Sequence, residues 1–512
     1  MSAPRWDAIV IGSGIGGLAC AAALAKCGRK ALVLEQHFAA GGLTQTFSRE
    51  GYTWDVGLHY LGDMGAQGVQ LLDWISEGGI EVAPTGATFD TVHFPDGFEF
   101  SFESPEEATR RNLKQRFPAA ESEIDDFFEA LDGAQRAAMA VFRMRALPGP
   151  LAAAYRWWKR GLVERWVARS IDEVLRETVS DPKLRAVLSS QWPDHGGSPR
   201  TGSFAMHAQV MRHFLGVSRY PVGGAGVFAK ALVPVIERAG GAVALNARVE
   251  RLLVEGGRIT GARLADGSEH RAAAVISDAG ARNTVESLLP AELRDAQWVR
   301  DILSLELTPC HAGLYLGLAG DIRAAGATTA NHWIYGTWDT GAATWRDPEH
   351  TEPPLMFISF PSLKDAGHDP GPGERHTAEA VVWVDWEAFA PWQDSSLGHR
   401  TDSYARYKAM LGERLLAHFK RCFPRIAPLI RYSEVSTPLT MAHYIRSPRG
   451  AVYSLAPTPA RFLSRSLGIR TPLKGLYLAG QDAASPGITG AMMGGIMAAG
   501  AVAPQVFRKF AA

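Results

Sequence analysis

The chain has 512 residues, with 53 basic and 53 acidic side chains, so its formal charge is zero and no global field recruits nucleic acid. That length holds two or more domains around a substantial core. Cys20, Cys27, Cys310 and Cys422 give neither a metal-ligand spacing nor a disulfide framework, so no metal is expected and a reducing, cytoplasmic setting is.

The first predicted element is an apolar strand, Asp7-Ala-Ile-Val-Ile11, reached within a few residues of Met1, which is read as leaving no room for a secretory leader. Gly12-Ser13-Gly14-Ile15-Gly16-Gly17 follows, and then a helical pattern. A buried parallel strand must turn sharply at Gly12, bring bare backbone against a pyrophosphate at Gly14, and seat its helix closely at Gly17. The helix presents its N-terminal amides to the phosphates. A second apolar run, Ala31-Leu-Val-Leu34, ends in Glu35-Gln36, where the acid can accept hydrogen bonds from an adenosine ribose. With strand, helix, strand and acid in register, the chain is read as binding a dinucleotide. Glu35 argues against a 2′-phosphate, and both NAD and FAD stay open here. Gly41-Gly42, with Leu43 and Thr44 behind it, suggests a second close backbone approach to the cofactor.

From about Gly62 to Arg219 the pattern is mainly helical, with Ile124, Phe127, Phe128 and Leu131, then Val141 and Phe142, at helical spacing until Pro148-Gly149-Pro150. Between Arg136 and Arg169 stand seven arginines and Lys159 against one acid, Glu164. Within this stretch Leu151, Tyr155, Trp158, Leu162 and Trp166 form one helical stripe, flanked by Arg156, Trp157, Lys159 and Arg160. A basic helix with aromatic residues at its apolar boundary suits an anionic bilayer surface; the competing reading is a solvated basic face whose tryptophans pack inward. Tyr220-Pro-Val-Gly223-Gly224 leads into a helix, Gly240-Gly241 and a strand predicted over 242–249. A second insertion, from about Asn283 to Ser433, holds strand-like runs over 311–318, 355–360 and 379–386, and an amphipathic helix with Tyr404, Tyr407, Leu411, Leu415 and Phe419 on one side. Near the C-terminus Gly475-Leu-Tyr-Leu-Ala-Gly480-Gln481-Asp482 precedes Pro486-Gly487-Ile488-Thr489-Gly490. No charge occurs from Ala483 to Phe507, but Pro486 and Pro504 bracket the run and small residues dominate it, so it is read as cofactor packing rather than a membrane span.

These segments resemble the flavin amine oxidase and phytoene desaturase superfamily. Asp55-Val-Gly57-Leu58-His59-Tyr60, Ser203-Phe-Ala-Met-His207 and Gly480-Gln-Asp482 are similar to its retinol saturase and carotenoid isomerase branch. The resemblance implies an α/β fold: a discontinuous Rossmann-type FAD-binding domain (1–61, 220–282 and 434–512) with an inserted α+β substrate domain (62–219 and 283–433). A helical, membrane-facing cap would lie within about 122–215. It implies FAD held by Gly12, Ser13, Gly14, Ile15, Gly16, Gly17, Glu35, Gln36, Gly41, Gly42, Leu43, Thr44, Asp55, Gly57, Leu58, His59, Val249, Asp278, Gly480, Gln481, Asp482, Gly487, Ile488 and Thr489. Val249 would lie by the adenine and Asp482 on the ribityl chain, with Asp55 orienting its own motif.

The family acts on double bonds of long apolar isoprenoids by hydride transfer at flavin N5, as saturase, isomerase or desaturase. A proton must also move, and His59 is the first candidate, ahead of His207 and His332. No second Gly-x-Gly-x-x-Gly opens another nucleotide domain, so electrons are expected from, or go to, an external reduced cofactor, quinone or oxygen. Peripheral membrane contact through 151–166, on the inner face, is the expected location. Two alternatives stand beside this one. A flavin amine oxidase needs an aromatic cage beside the ring; a prenyl-lipid escort protein of the same fold binds no flavin, and such escorts lose the phosphate loop that Gly12, Gly14, Gly17 and Glu35 keep here.

Overall fold

A computed structural model describes residues 6–147 and 149–508, so Pro148 of the expected helix break lies outside the described residues. The strand Trp6–Ile11 runs parallel between Ala31–Leu34 and Glu269–Ser277, with Val10 opposite both Val33 and Ile276. Its last four residues are buried on both faces, as a sheet covered on two sides demands. Ala242–Ala244 extends this sheet beyond Ala31–Leu34, and Leu476–Leu478 joins Glu269–Ser277. The antiparallel strands Val249–Glu255 and Arg258–Leu264 complete seven. The single strand expected over 242–249 is therefore two, separated by a turn in which Asn246 takes φ +54°.

Every residue of the helix Ile15–Ala25 is buried, because the helix Ile488–Val502 lies directly across it. The small residues of that C-terminal helix permit the contact: a Cβ at Gly495 would collide with the Gly16 carbonyl oxygen, and one at Gly494 would meet the Gly480 carbonyl oxygen at 2.2 Å. Its uncharged sequence thus reflects close packing on the dinucleotide helix. Among the described residues no helix is long and apolar enough to cross a membrane.

A second seven-stranded sheet runs, in spatial order, Ile430–Ser436, Cys310–Ala319, Arg375–Val384, Leu355–Ser359, Asn331–Tyr335, Thr88–Phe94 and Phe98–Glu103. Both insertions contribute to it. The two strands from the first insertion are a feature that the helical periodicity of 106–216 overshadowed; the alternation of Phe98, Phe100 and Phe102 with polar residues is the signal that was available. The strand expected over 379–386 is Arg375–Val384, and Trp386 instead opens a short turn.

Against this sheet lies a helical layer that includes Glu121–Ala146, Gly149–Trp166, Ile171–Thr178, Pro182–Ser189 and Phe204–Gly216. Phe127, Phe128, Trp166, Trp192 and Phe204 fill its core. The stripe from Leu151 to Trp166 divides along its length. Trp166 packs beside Phe204 with ring centroids 6.0 Å apart, whereas Leu151 and Trp158 are 59 % and 66 % exposed and the flanking Trp157 is 80 % exposed. The inward-packing reading therefore holds for the Trp166 end, and the other end presents its tryptophans and basic side chains to solvent.

Candidate active site

Two glycine turns converge at the C-terminal edge of the parallel sheet. Gly12 takes φ +96°, a conformation that favours glycine, to turn the chain out of the first strand. A Cβ on Gly17 would stand 2.1 Å from the Gly12 carbonyl oxygen, and one on Gly42 would stand 2.9 Å from Gly14 Cα. The second glycine pair therefore presses on the first loop, and Gly14 and Gly41 form a parallel bridge. Ser13 donates its backbone N–H and hydroxyl to Glu35 Oε2 at 2.8 and 2.7 Å, which fixes the acid at the edge of the cavity.

A cavity of about 450 Å³ runs from these turns to the start of the C-terminal helix. Of the residues expected to hold the cofactor, Gly12, Gly14, Ile15, Gly16, Glu35, Gln36, Gly42, Leu43, Thr44, Gly57, Val249, Asp278, Gln481, Asp482, Gly487 and Ile488 line it. Ser13, Gly17, Gly41 and Gly480 stand behind these, as supports. Asp55 and Leu58 do not reach the cavity. Asp55 is taken up by Tyr220 and by the Ala225 N–H at 2.8 Å, so it braces the loop, and Leu58 is wholly buried in the core. Thr489 and His59 face other cavities, described below. Tyr444, Arg446 and Tyr453 also line the site. They come from the end of the helix Pro438–Tyr444 and the segment after it, which carries no phosphate-loop signature, so nothing in their spacing marked them.

The Gly17 N–H donates to Asp278 Oδ2 at 2.7 Å. Burial, with the charges of Glu35 and Asp482 nearby, pushes the Asp278 carboxyl up to about 8, so it is protonated at neutral pH and does not repel a pyrophosphate. Asp482 accepts from the Ala281 N–H at 2.8 Å and from Ser454 Oγ at 3.0 Å, at the far end of the cavity. Glycines that leave the backbone bare, a neutral carboxyl at the helix start and a ribose acceptor at one end fit an FAD molecule.

A second cavity, of about 360 Å³ and mostly apolar, is lined by Leu61, Met139, Phe142, Met206, Val210, Phe214, Met493 and Met497. It meets the first at Gly57, Gly487, Ile488 and Tyr453. His59, Asp194 and Tyr453 stand both in its wall and in that of a small third cavity, with Tyr315, Trp333, Phe357 and Trp383. His59 Nδ1 lies 2.9 Å from Glu379 Oε2, on a side chain that is 1 % exposed. Lys364 Nζ donates to the His59 carbonyl and to Ser359 Oγ, both at 2.8 Å, and to Asn331. Burial first, then the Lys364 charge, hold His59 down at about 3, so its ring is neutral. Burial lowers Lys364 to about 7 against the pull of Asp90, Glu379, Asp194 and Asp55. The Tyr60 hydroxyl sits between Asp194 and Asp90, at 2.6 and 3.1 Å.

The other two histidines are elsewhere. His207 is fully buried between Leu188 O, at 2.8 Å, and His195, at 3.2 Å, in the core of the helical layer. His332 lies 3.1 Å from His93 and packs on Phe360 and Phe423. Its strand neighbour Trp333 faces the small cavity, and alternation along a strand sends His332 to the opposite face. Neither histidine lines a cavity with His59, so both are corrected to structural positions.

The fold and the cradle define a dinucleotide-dependent oxidoreductase with a substrate domain inserted into it. Comparison with known proteins makes this specific. The sequence profile described as flavin containing amine oxidoreductase matches residues 15–311, and the chain belongs to that family as an FAD-dependent enzyme. All-trans-retinol 13,14-reductase from Danio rerio is 33 % identical over 96 % of this chain and 84 % of its own length, and the Homo sapiens protein is 33 % identical over 97 % and 85 %. Chloroplastic prolycopene isomerase from Arabidopsis thaliana is 25 % identical over 98 % and 83 %. A putrescine oxidase bound to putrescine shares the fold, with a TM-score of 0.66 at 16 % identity over 98 % of this chain and 99 % of that one.

Proposed function

We propose that this enzyme saturates a carbon–carbon double bond in a long apolar polyene of the retinoid or carotenoid class. One observation carries the reading: the apolar channel that meets the flavin cavity at Gly57, Gly487, Ile488 and Tyr453, with His59 in its wall. The likeness to retinol reductases along nearly the whole chain supports the substrate class. Bound FAD, reduced by an external donor, supplies the hydride.

The chain's own residues do the rest. Met139, Met206, Val210, Met493 and Met497 hold an unbranched or methyl-branched chain and exclude water; the flexible thioethers suit an irregular polyene. His59, in the channel wall two residues beyond Gly57, gives the proton that completes saturation. Residues 1–61, 220–282 and 434–512 bind the cofactor, and 62–219 with 283–433 bind substrate. Leu151, Trp157 and Trp158, with Arg156, Lys159 and Arg160, make peripheral contact with an anionic membrane, from which an insoluble substrate reaches the channel.

Anaerobic reduction of the flavoprotein, followed by mixing with retinoids, carotenoids and putrescine, tests this reading. Loss of polyene absorbance with flavin reoxidation, and a product heavier by two hydrogens, is the expected result. Turnover of the amine and not of the polyenes sinks it.

A further inference from the structure

Glu379 is the one acid in the apolar strand run Thr377-Ala-Glu-Ala-Val-Val-Trp-Val384 at the centre of the second sheet. Alternation brings Glu379, Val381 and Trp383 to the same face, and all three line the small cavity beside the flavin site. The carboxyl is 1 % exposed; the Asp55 backbone N–H approaches it, but neither oxygen has a hydrogen bond of good geometry. Such a group is costly to bury unless the site uses it. His59 Nδ1 lies 2.9 Å from Glu379 Oε2 and is likewise without a well-formed hydrogen bond. The imidazole is 26 % accessible, and that accessible surface faces the cavities.

We propose that Glu379 is a positioning residue for His59, holding it in the Nε2–H tautomer and replacing the proton that His59 gives to substrate. This deepens the saturase reading above and rests on it for the substrate. One alkene carbon receives the hydride, the π bond breaks, and the electron pair is left on the neighbouring carbon. That carbon takes the proton from His59 Nε2, while Nδ1 takes the proton of the Glu379 carboxyl. Two C–H bonds form, the external donor supplies the two electrons, and Glu379 is left as a carboxylate until water reprotonates it after product leaves.

The surrounding charges suit both states of the acid. Facing Glu379 and His59 are Lys364 from its short helix, Asp55 and Tyr220 behind the loop, Tyr315 and His311 from the strand Cys310–Ala319, and Asp194 across the cavity. Burial outweighs the Lys364 charge and raises the carboxyl to about 8, so it carries a proton at neutral pH. Once the proton leaves, the Lys364 ammonium is the cation that stabilises the carboxylate.

The test compares Glu379→Gln and Glu379→Asp with the wild-type flavoprotein. Histidine-selective nitrogen NMR of the resting enzyme reads the His59 tautomer without turnover. The Nε2–H form is expected in wild type, with a mixture or a changed His59 titration in Glu379→Gln; identical His59 signals in both overturn the proposal. In turnover, wild-type kcat is expected to fall above a pH near 8. Glu379→Gln should lose at least tenfold in kcat with KM within twofold and lose that alkaline limb, and Glu379→Asp should regain part of the rate. A Glu379→Gln enzyme with wild-type kcat and pH profile overturns the role. If the wild type turns over no polyene, the substrate reading fails, and the NMR result alone then decides the pairing.

Discussion

Gly495 of the C-terminal helix rests on the carbonyl of Gly16, so closely that a Cβ there would come within 1.9 Å of that oxygen. Two helices from opposite ends of the chain thus touch backbone to backbone beneath the phosphate turn. Gly495→Ala must push them apart, which is expected to cost about 1–3 kcal/mol of stability and to weaken flavin retention, read by chemical denaturation and by flavin content after dialysis. Gly468→Ala is the control, because nothing lies within 4 Å of its Cβ position.

Glu35 is held by two hydrogen bonds from Ser13 and accepts a third from the His37 N–H at 2.8 Å. Its placement at the cavity edge is thus set before cofactor arrives. Glu35→Ala removes the ribose acceptor and leaves the Ser13 N–H, which is buried, without its partner. FAD affinity is expected to fall about ten- to hundredfold, the effect of losing a charged hydrogen bond. Release of flavin fluorescence on dilution measures it; unchanged affinity would place the ribose elsewhere.

The phosphate loop, Glu35 and the second glycine pair were legible in sequence because backbone geometry there leaves no other residue type free. A turn at Gly12 needs positive φ, and the contacts at Gly17 and Gly42 leave no room for a Cβ. His59 was legible through its neighbours in the motif. Glu379 and Lys364 were not, since they arrive from a strand and a short helix some three hundred residues later, and only tertiary folding brings them to the imidazole. A trace existed: an acid within a buried apolar strand asks for a reason, and the expected strand began at Glu379, which made it an edge residue instead of a central one. His207 and His332 failed as candidates for the converse reason. Residue type suggested chemistry, while helix packing and strand alternation had turned both side chains away.

His207 carries a prediction about acid stability. Burial lowers it to about 4 in the folded protein, while the unfolded chain takes up a proton near 6.5. Between those values the unfolded state binds more protons, so folding stability falls as pH drops from about 6.5 to about 4. Full expression of this one group gives a slope of about 1.4 kcal/mol per pH unit. His207→Gln keeps a donor toward Leu188 O and cannot titrate. Its stability is expected to be lower than wild type at pH 7 and to decline less steeply with acid, in urea titrations at several pH values. A wild-type slope in the variant would show that His207 is charged in the folded state.

The exposed half of the helix Gly149–Trp166 yields the last prediction. Trp157 and Trp158 stand out into solvent, with the Lys159 ammonium 3.7 Å from the Trp158 ring centre, while Trp166 at the other end is sealed in the core. Burying an indole at a headgroup boundary gains free energy, and the nearby Arg156 and Arg160 add attraction to anionic lipid. The double variant Trp157→Ser with Trp158→Ser removes the apolar part and leaves every cation in place. Flotation on vesicles of phosphatidylserine and phosphatidylcholine is expected for the wild type, with partitioning about ten- to hundredfold weaker in the double variant. Raising the salt should weaken the wild type further, because the basic flank acts through screened charge. Leu397→Ser, an exposed residue on a different segment, should float as the wild type does. Trp166→Ser should instead lower stability, since that ring fills the core over Gly133 and Phe204. If the double variant floats as well as the wild type, the tryptophans do not meet lipid, and the substrate reaches the channel by another route.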